Sequence, residues 1–431
     1  MAQLTRRLRG MVADTTPLRT PAYRRLFQAN IVTVIGAQLT VVAVPAQIFA
    51  ITESSAYVGL TGLFGLVPLI IFGLYGGALA DHLNRRTLLI LTTLGIIATS
   101  AAFFVQAALG LNNVWLLLGI FAVQQAMFGI NQPTRSAILP KLLPAEQLPA
   151  AQSLAMTVFS FGAIAGPLVG GALIPVLGFP VLYLIDTVFL FATLYAVVKL
   201  PSLPVDNPQG SPGLRSVVEG FAYLRGRTVL LMSFVVDLIA MVFGMARALF
   251  PQIAHESFGG PTEGGTVFAL LYAAMPVGVL IGGVFSGWVS RVRYQGRAVI
   301  WAITVWGAAM AVFGLAVGLA PGALYPMLVV ALLAQVVGGT ADMVSAAFRS
   351  TMLLNAADDA VRGRLQGIFI VVVAGGPRLA DVVHGFAASA VGTAWAAGGG
   401  GVLVVVLVLV AAVAAPAFWR YRVEAALPSD H

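Results

Sequence analysis

The chain of 431 residues contains no cysteine, which excludes disulfides, thiolate metal sites and a cysteine nucleophile. Charge is nearly as scarce: Asp, Glu, Lys and Arg make up 9% of the residues, against about 25% in soluble domains. The four histidines, at 82, 255, 384 and 431, are too dispersed for a zinc site. No Gly-x-x-x-x-Gly-Lys-Ser/Thr run is present, so the sequence shows no ATP-driven engine. It also offers no convergent nucleophile, metal or acid–base set, and an enzyme is not expected. What abounds is apolar: 59% hydrophobic residues, 47 glycines and a mean hydropathy of +0.95. A water-soluble globule is excluded.

A bilayer-crossing helix needs about 20 largely apolar residues. Stretches such as Val114–Met127 and Val402–Phe418 are apolar without the alternation of a transmembrane barrel strand, so the fold class is all-α and polytopic. Twelve spans are predicted, at 26–51, 56–80, 87–110, 114–134, 151–174, 180–199, 228–252, 266–289, 298–319, 324–348, 365–388 and 394–418. The first is too long for a signal-peptide core and lacks a persuasive cleavage pattern.

The formal charge of +8 and pI near 10.1 do not indicate nucleic-acid binding, which needs a basic patch on a soluble surface. With a cytoplasmic N-terminus, 22 of the 24 Lys and Arg fall on the inner side. Only Arg247 and Arg378 remain, and the outer loops carry Glu53, His255, Glu256 and Glu263. By the positive-inside rule both termini are cytoplasmic, and the basic excess reflects insertion beside an anionic leaflet.

The longest polar stretch, Pro201–Arg227, separates residues 1–200 from 228–431, giving two six-span bundles. Arg135-Ser136 lies 17 residues before Gln152 and Arg349-Ser350 lies 17 residues before Gln366, an offset of 214. GGALADHLNRR at 76–86 has a weaker counterpart in SGWVSRVRYQGR at 286–297. Such a parallel repeat places substrate near the midplane where the two bundles meet.

Gly77-Ala-Leu79-Ala-Asp81-His-Leu-Asn84-Arg85-Arg86 follows the second span. It resembles the major facilitator signature Gly-x-Leu-x-Asp-x-x-Gly-Arg-Arg/Lys, with Asn84 in place of Gly. The departure is expected to be tolerated because Asn accepts left-handed backbone angles. YRRLF at 23–27, ITESSAYVGL at 51–60, NQPTRSAILPKLL at 131–143, YLIDTVFLF at 183–191 and PRLAD at 377–381 resemble the branch of bacterial enterobactin exporters and macrolide-efflux proteins. The resemblance covers essentially the whole chain. It implies rocker-switch alternating access, and a cytoplasmic gate in which Gly77, Asp81, Arg85 and Arg86 latch the halves. Ordinary positive-inside charge also accounts for Arg86.

An ionisable side chain at bilayer depth costs roughly 2.5–3.5 kcal/mol on insertion scales, so such groups mark function by default. Asp237 lies about 14 Å along its span from Thr228. It reads either as a proton-binding carboxylate or as a fixed ion-pair member. Arg378 and Asp381 share a helix face, after Gly375-Gly376-Pro377, which is expected to kink the helix. Arg378 either holds an anionic or acceptor-rich substrate group, with Asp237 or Asp381 competing for it, or is neutralised by Asp381 alone. His384, one turn on, is a proton relay or an interfacial residue. Gln124, Phe128, Asn131 and Arg135, with Gln125 alongside, form a polar stripe that lines the cavity or bonds neighbouring helices. Gln38 and Gln335 are further cavity candidates. Arg135 and Arg349 snorkel to headgroups or gate, Arg247 and Asp342 are boundary or gate residues, and Asp186 has a packing role. The Gly398–Gly401 run reflects close helix packing.

The expected function is secondary export of an amphipathic small molecule by proton antiport, with a catecholate siderophore such as enterobactin as first substrate and a macrolide-like drug as the alternative. A non-transporting membrane sensor is a third reading, weakened by the lack of a large polar domain. No cofactor or metal is expected; the partners are substrate, protons and lipid, with no nucleic acid, for a monomer in the bacterial plasma (inner) membrane.

Overall fold

A computed structural model of the protein describes residues 14–202, 223–356 and 362–422; most of the linker anticipated at 201–227 lies outside them. The described residues are helical with no strand. Twelve long helices run in order: α1 (Pro21–Thr52), α2 (Ser55–His82), α3 (Arg85–Ala108), α4 (Val114–Leu142), α5 and α6 (together Leu148–Val198), α7 (Thr228–Gly244), α8 (Thr266–Val284), α9 (Gln295–Leu319), α10 (Leu324–Ala356), α11 (Arg362–Val391) and α12 (Thr393–Ala414). Their exposed faces carry Val413, Tyr325 and Trp395 at 81%, 78% and 76% exposure, an apolar surface that only lipid can cover.

Leu148–Val198 is 51 residues long, about 77 Å if straight, more than twice the hydrocarbon thickness. It cannot be straight. At Gly178 the backbone turns to φ 74°, ψ 165°, a left-handed conformation open to glycine and strained for other residues. Leu182 beyond the turn comes back to within 3.9 Å of a Cβ built on Gly170, so α5 and α6 form a hairpin joined by a single residue.

The chain divides into two compact units: unit 1 comprises Met1–Val44 and Val67–Gly213, unit 2 comprises Pro45–Leu66 and Leu214–His431. In unit 1, α3 packs on α4 and on the α5–α6 hairpin. Leu26, Leu89, Ile138 and Val197 form one core, and the Tyr23 hydroxyl donates to the Ala151 carbonyl at 3.1 Å.

In unit 2, α9 packs against α10 and α12 around Trp306, which is fully buried with Met310, Phe348, Val404 and Val408. The α9–α12 contact explains the glycine run. A Cβ on Gly314 would fall on the Gly398 backbone, and one on Gly401 would meet the Ala311 nitrogen and Gly307 oxygen. The start of α2 belongs to this unit through the same device: Cβ atoms on Gly59 and Gly62 would strike the carbonyls of Asp381 and Arg378.

Two backbone expectations change. Residues 375–377 do not interrupt α11, which runs through Pro377. The break lies in α7, where Met245 and Ala246 leave helical geometry before a 3₁₀ turn, Arg247–Leu249, and a π-helical turn, Ile253–Ser257. Asn84 is not left-handed either. At φ −57°, ψ 116° it caps α3, its side chain accepting from the Arg86 nitrogen; a capping Asn satisfies one of the helix's otherwise free donors.

Candidate functional site

The ionisable residues at depth in unit 2 form two clusters. The first joins α7 to α10. Asp342, Ser345 and Arg349 stand three and four residues apart, hence on one face of α10. Arg349 Nη1 pairs closely with Asp237 Oδ2, its Nε donates to Ser345 Oγ at 3.1 Å, and its Nη2 lies 4.0 Å from Asp342 Oδ1. Asp237 is 1% and Arg349 7% exposed. Asp237 Oδ1 is buried without a hydrogen-bond partner. Two carboxylates thus share one guanidinium.

The second cluster joins the break in α7 to α11. Because α7 stops at Gly244, Arg247 swings onto a new turn and clasps Asp381, with Nη2 to Oδ2 at 3.1 Å and Nε to Oδ1 at 3.4 Å. Arg378, half-buried one turn earlier on α11, shares the electrostatic surroundings of Arg247, Asp381 and Tyr272. Tyr272 is held edge-on by Phe250 at 5.2 Å and Phe268 at 4.9 Å. His384 is 2% exposed and sits beside Gly400 of α12. Here Arg247 clasps the one carboxylate, and Arg378 lies one turn before it on α11.

The partners therefore differ from those expected. Asp237 pairs with Arg349 rather than with Arg378, and Asp381 binds Arg247. Arg349 does not snorkel: it turns inward, because a buried Asp237 offers a charge-assisted bond. Arg247, expected as a boundary or gate residue, pairs with Asp381.

In unit 1 the polar stripe of α4 serves helix contacts at two of its members: Asn131 Nδ2 donates to Thr92 Oγ1 at 2.8 Å, and Arg135 Nη2 donates to Asn30 Oδ1 at 2.9 Å. Gln124 and Gln125 are 3% and 8% exposed, and Gln335 in unit 2 is 2%. Gln38 is half-buried with its Cβ toward Gly166 of α5. Of the gate residues, Arg85 donates to the Ala137 carbonyl at 3.2 Å and Arg86 to the Val198 carbonyl at 2.7 Å. These bonds, with Arg25 on the Lys199 carbonyl at 3.3 Å, place cations at the ends of α4 and α6, where helix dipoles favour them. Gly77 and Asp81 lie in α2, but their surroundings are outside the described residues.

Long apolar helices with paired charges at depth are the framework of a multi-pass membrane transporter, and comparison with known proteins agrees. Residues 12–428 match the family model described as transmembrane secretion effector. The chain belongs to this family, within the major facilitator superfamily, and is a transporter rather than an enzyme. It is 27% identical over 361 residues to the enterobactin exporters EntS of Shigella boydii serotype 18 and Escherichia coli O81, covering 81% of this chain and 81% of each relative. In fold it is similar to the nucleoside transporter NupG (TM-score 0.69, 13% identity, 93% of this chain and 100% of that one). It is likewise similar to a bacterial homologue of the iron transporter ferroportin in an inward-facing state (TM-score 0.66, 15% identity, 93% and 98%).

Proposed function

We propose that this protein exports an amphipathic, acidic small molecule of the catecholate siderophore class in exchange for protons, by alternating access, from a bacterial inner membrane with both termini cytoplasmic. The observation that carries the reading is the cluster on α7 and α10, where two carboxylates stand beside one guanidinium among the described residues. Asp237 and Asp342 outnumber Arg349, so one carboxylate there has no cation of its own and is suited to taking up a proton. Arg378, one turn before Asp381 on α11, is the candidate for binding an anionic oxygen of the substrate, since a guanidinium binds paired oxygens in a bidentate manner. The similarity to enterobactin exporters supports a catecholate, whose adjacent oxygens fit that geometry. The gate role of Gly77, Asp81, Arg85 and Arg86 remains part of this proposal.

Reconstitution in liposomes with an imposed pH gradient tests it, with enterobactin and a macrolide assayed side by side. Gradient-driven movement of enterobactin, lost in Arg378→Gln, is expected. Movement of the macrolide alone would replace the siderophore reading with drug efflux, and movement indifferent to the gradient would remove proton exchange.

A further inference from the structure

Unit 1 buries a carboxyl group of its own. Asp186, in the α6 arm of the hairpin, is 2% exposed. Its Oδ2 is within hydrogen-bond distance of two hydroxyls on other helices, Thr40 Oγ1 of α1 at 2.8 Å and Ser100 Oγ of α3 at 2.9 Å. Thr187 Oγ1 extends the chain to Ser100 Oγ at 3.0 Å and to the Tyr183 carbonyl at 2.7 Å. Oδ1 is buried with no partner. It is pressed against Gly36, whose added Cβ would lie 2.6 Å away. No ion pair reaches Asp186 among the described residues. The groups facing it are Gly36 and Thr40 from α1, Ser100 from α3, and Thr187 and Tyr183 from its own helix. Tyr183, stacked on Phe103 at 5.2 Å, is the only titratable one, and a phenol is neutral at physiological pH.

An anion cannot be held cheaply this way. Two hydroxyl donors crowd one oxygen while the other, carrying half the charge, faces a glycine methylene. The same geometry suits a neutral acid. A proton on Oδ2 donates to one hydroxyl, the second hydroxyl donates back to Oδ2, and Oδ1 is left as a carbonyl, which loses far less than a carboxylate when it goes unbonded.

We propose that Asp186 is a proton-binding site within unit 1, which in its protonated form ties α1, α3 and α6 together through Thr40 and Ser100. Releasing this proton places an uncompensated anion between three helices, so unit 1 is fastened by protonation. The site is separate from the carboxylates of unit 2 and stands whether or not transport is proton-driven.

Infrared difference spectroscopy of the full-length protein in lipid vesicles, titrated from acidic to alkaline pH, tests this directly. Wild type is expected to lose a carboxylic-acid carbonyl band that is missing in Asp186→Asn. Ser100→Ala and Thr40→Val remove donors that favour the ionised form, and each is expected to move the loss of that band to higher pH; these variants serve if Asp186→Asn fails to fold. A titration that shows no band sensitive to these changes overturns the proposal. So does stabilisation by sodium over choline that vanishes in Asp186→Asn, which would mark a metal-cation site. Because the band reports a bound proton and not movement of substrate, a negative liposome assay with the band intact defeats only the proton-exchange reading.

Discussion

At the residue scale, the pairing of Asp237 with Arg349 alters what a substitution can show. The sequence alone suggests that Asp237→Asn disables coupling in an intact protein. In the structure that change strands a guanidinium whose side chain is 7% exposed, with Asp342 still 4.0 Å off. Breaking one side of a buried pair typically costs about 3–5 kcal/mol, so Asp237→Asn is expected to lower the melting temperature of the purified protein. Asp237→Asn combined with Arg349→Gln is expected to recover most of the loss; equal destabilisation in both would show that Arg349 is not stranded. The double variant is therefore the sound background for testing coupling. That Asp237 matters was legible from its depth in an apolar helix. Its partner was not, because distance along a helix gives depth but neither rotation nor neighbouring helices. A signal was present in α10, where the spacing of Asp342, Ser345 and Arg349 fixes a polar face, yet the repeat position of Arg349 beside the end of its span drew attention to headgroups instead.

At the scale of elements, the helices were largely readable because a bilayer demands long apolar runs. Proline misleads as a marker of breaks: Pro377 lies inside α11, whereas the break in α7 follows no proline. Close packing was legible as glycine content, but not which glycines matter. Gly401→Ala would drive a methyl into the α9 backbone, while a Cβ on Gly399 meets nothing within 4 Å. Overpacking costs typically about 1–3 kcal/mol, and Ala for Gly in a helix gains roughly 1 kcal/mol. Thermal unfolding should thus show Gly401→Ala destabilised and Gly399→Ala neutral or improved. Loss of stability in both would mean that the run needs flexibility rather than close approach.

At the scale of the whole molecule, the asymmetry of basic residues predicts sidedness, and the lack of native cysteine makes it simple to measure. A single cysteine at Glu263, exposed before α8, is expected to react with an impermeant maleimide added to intact cells. One at Glu146, exposed between α4 and α5, is expected to react only after permeabilisation. The reverse pattern would invert the assigned orientation. Family membership was legible from the loop after α2 and the repeat, since these are patterns of sequence. The division of charge between two clusters was not, since it depends on which side chains meet across helices.

The one-residue link at Gly178 bears on how this chain is made. A hairpin with no loop gives the insertion machinery nothing to hold or translocate between α5 and α6, so the two must enter the membrane together and leave both ends on the same side. The cations flanking the pair, Lys141 and Lys199, then orient two helices at once, and α6 inherits its direction from α5 before any contact with α1 or α3 has formed.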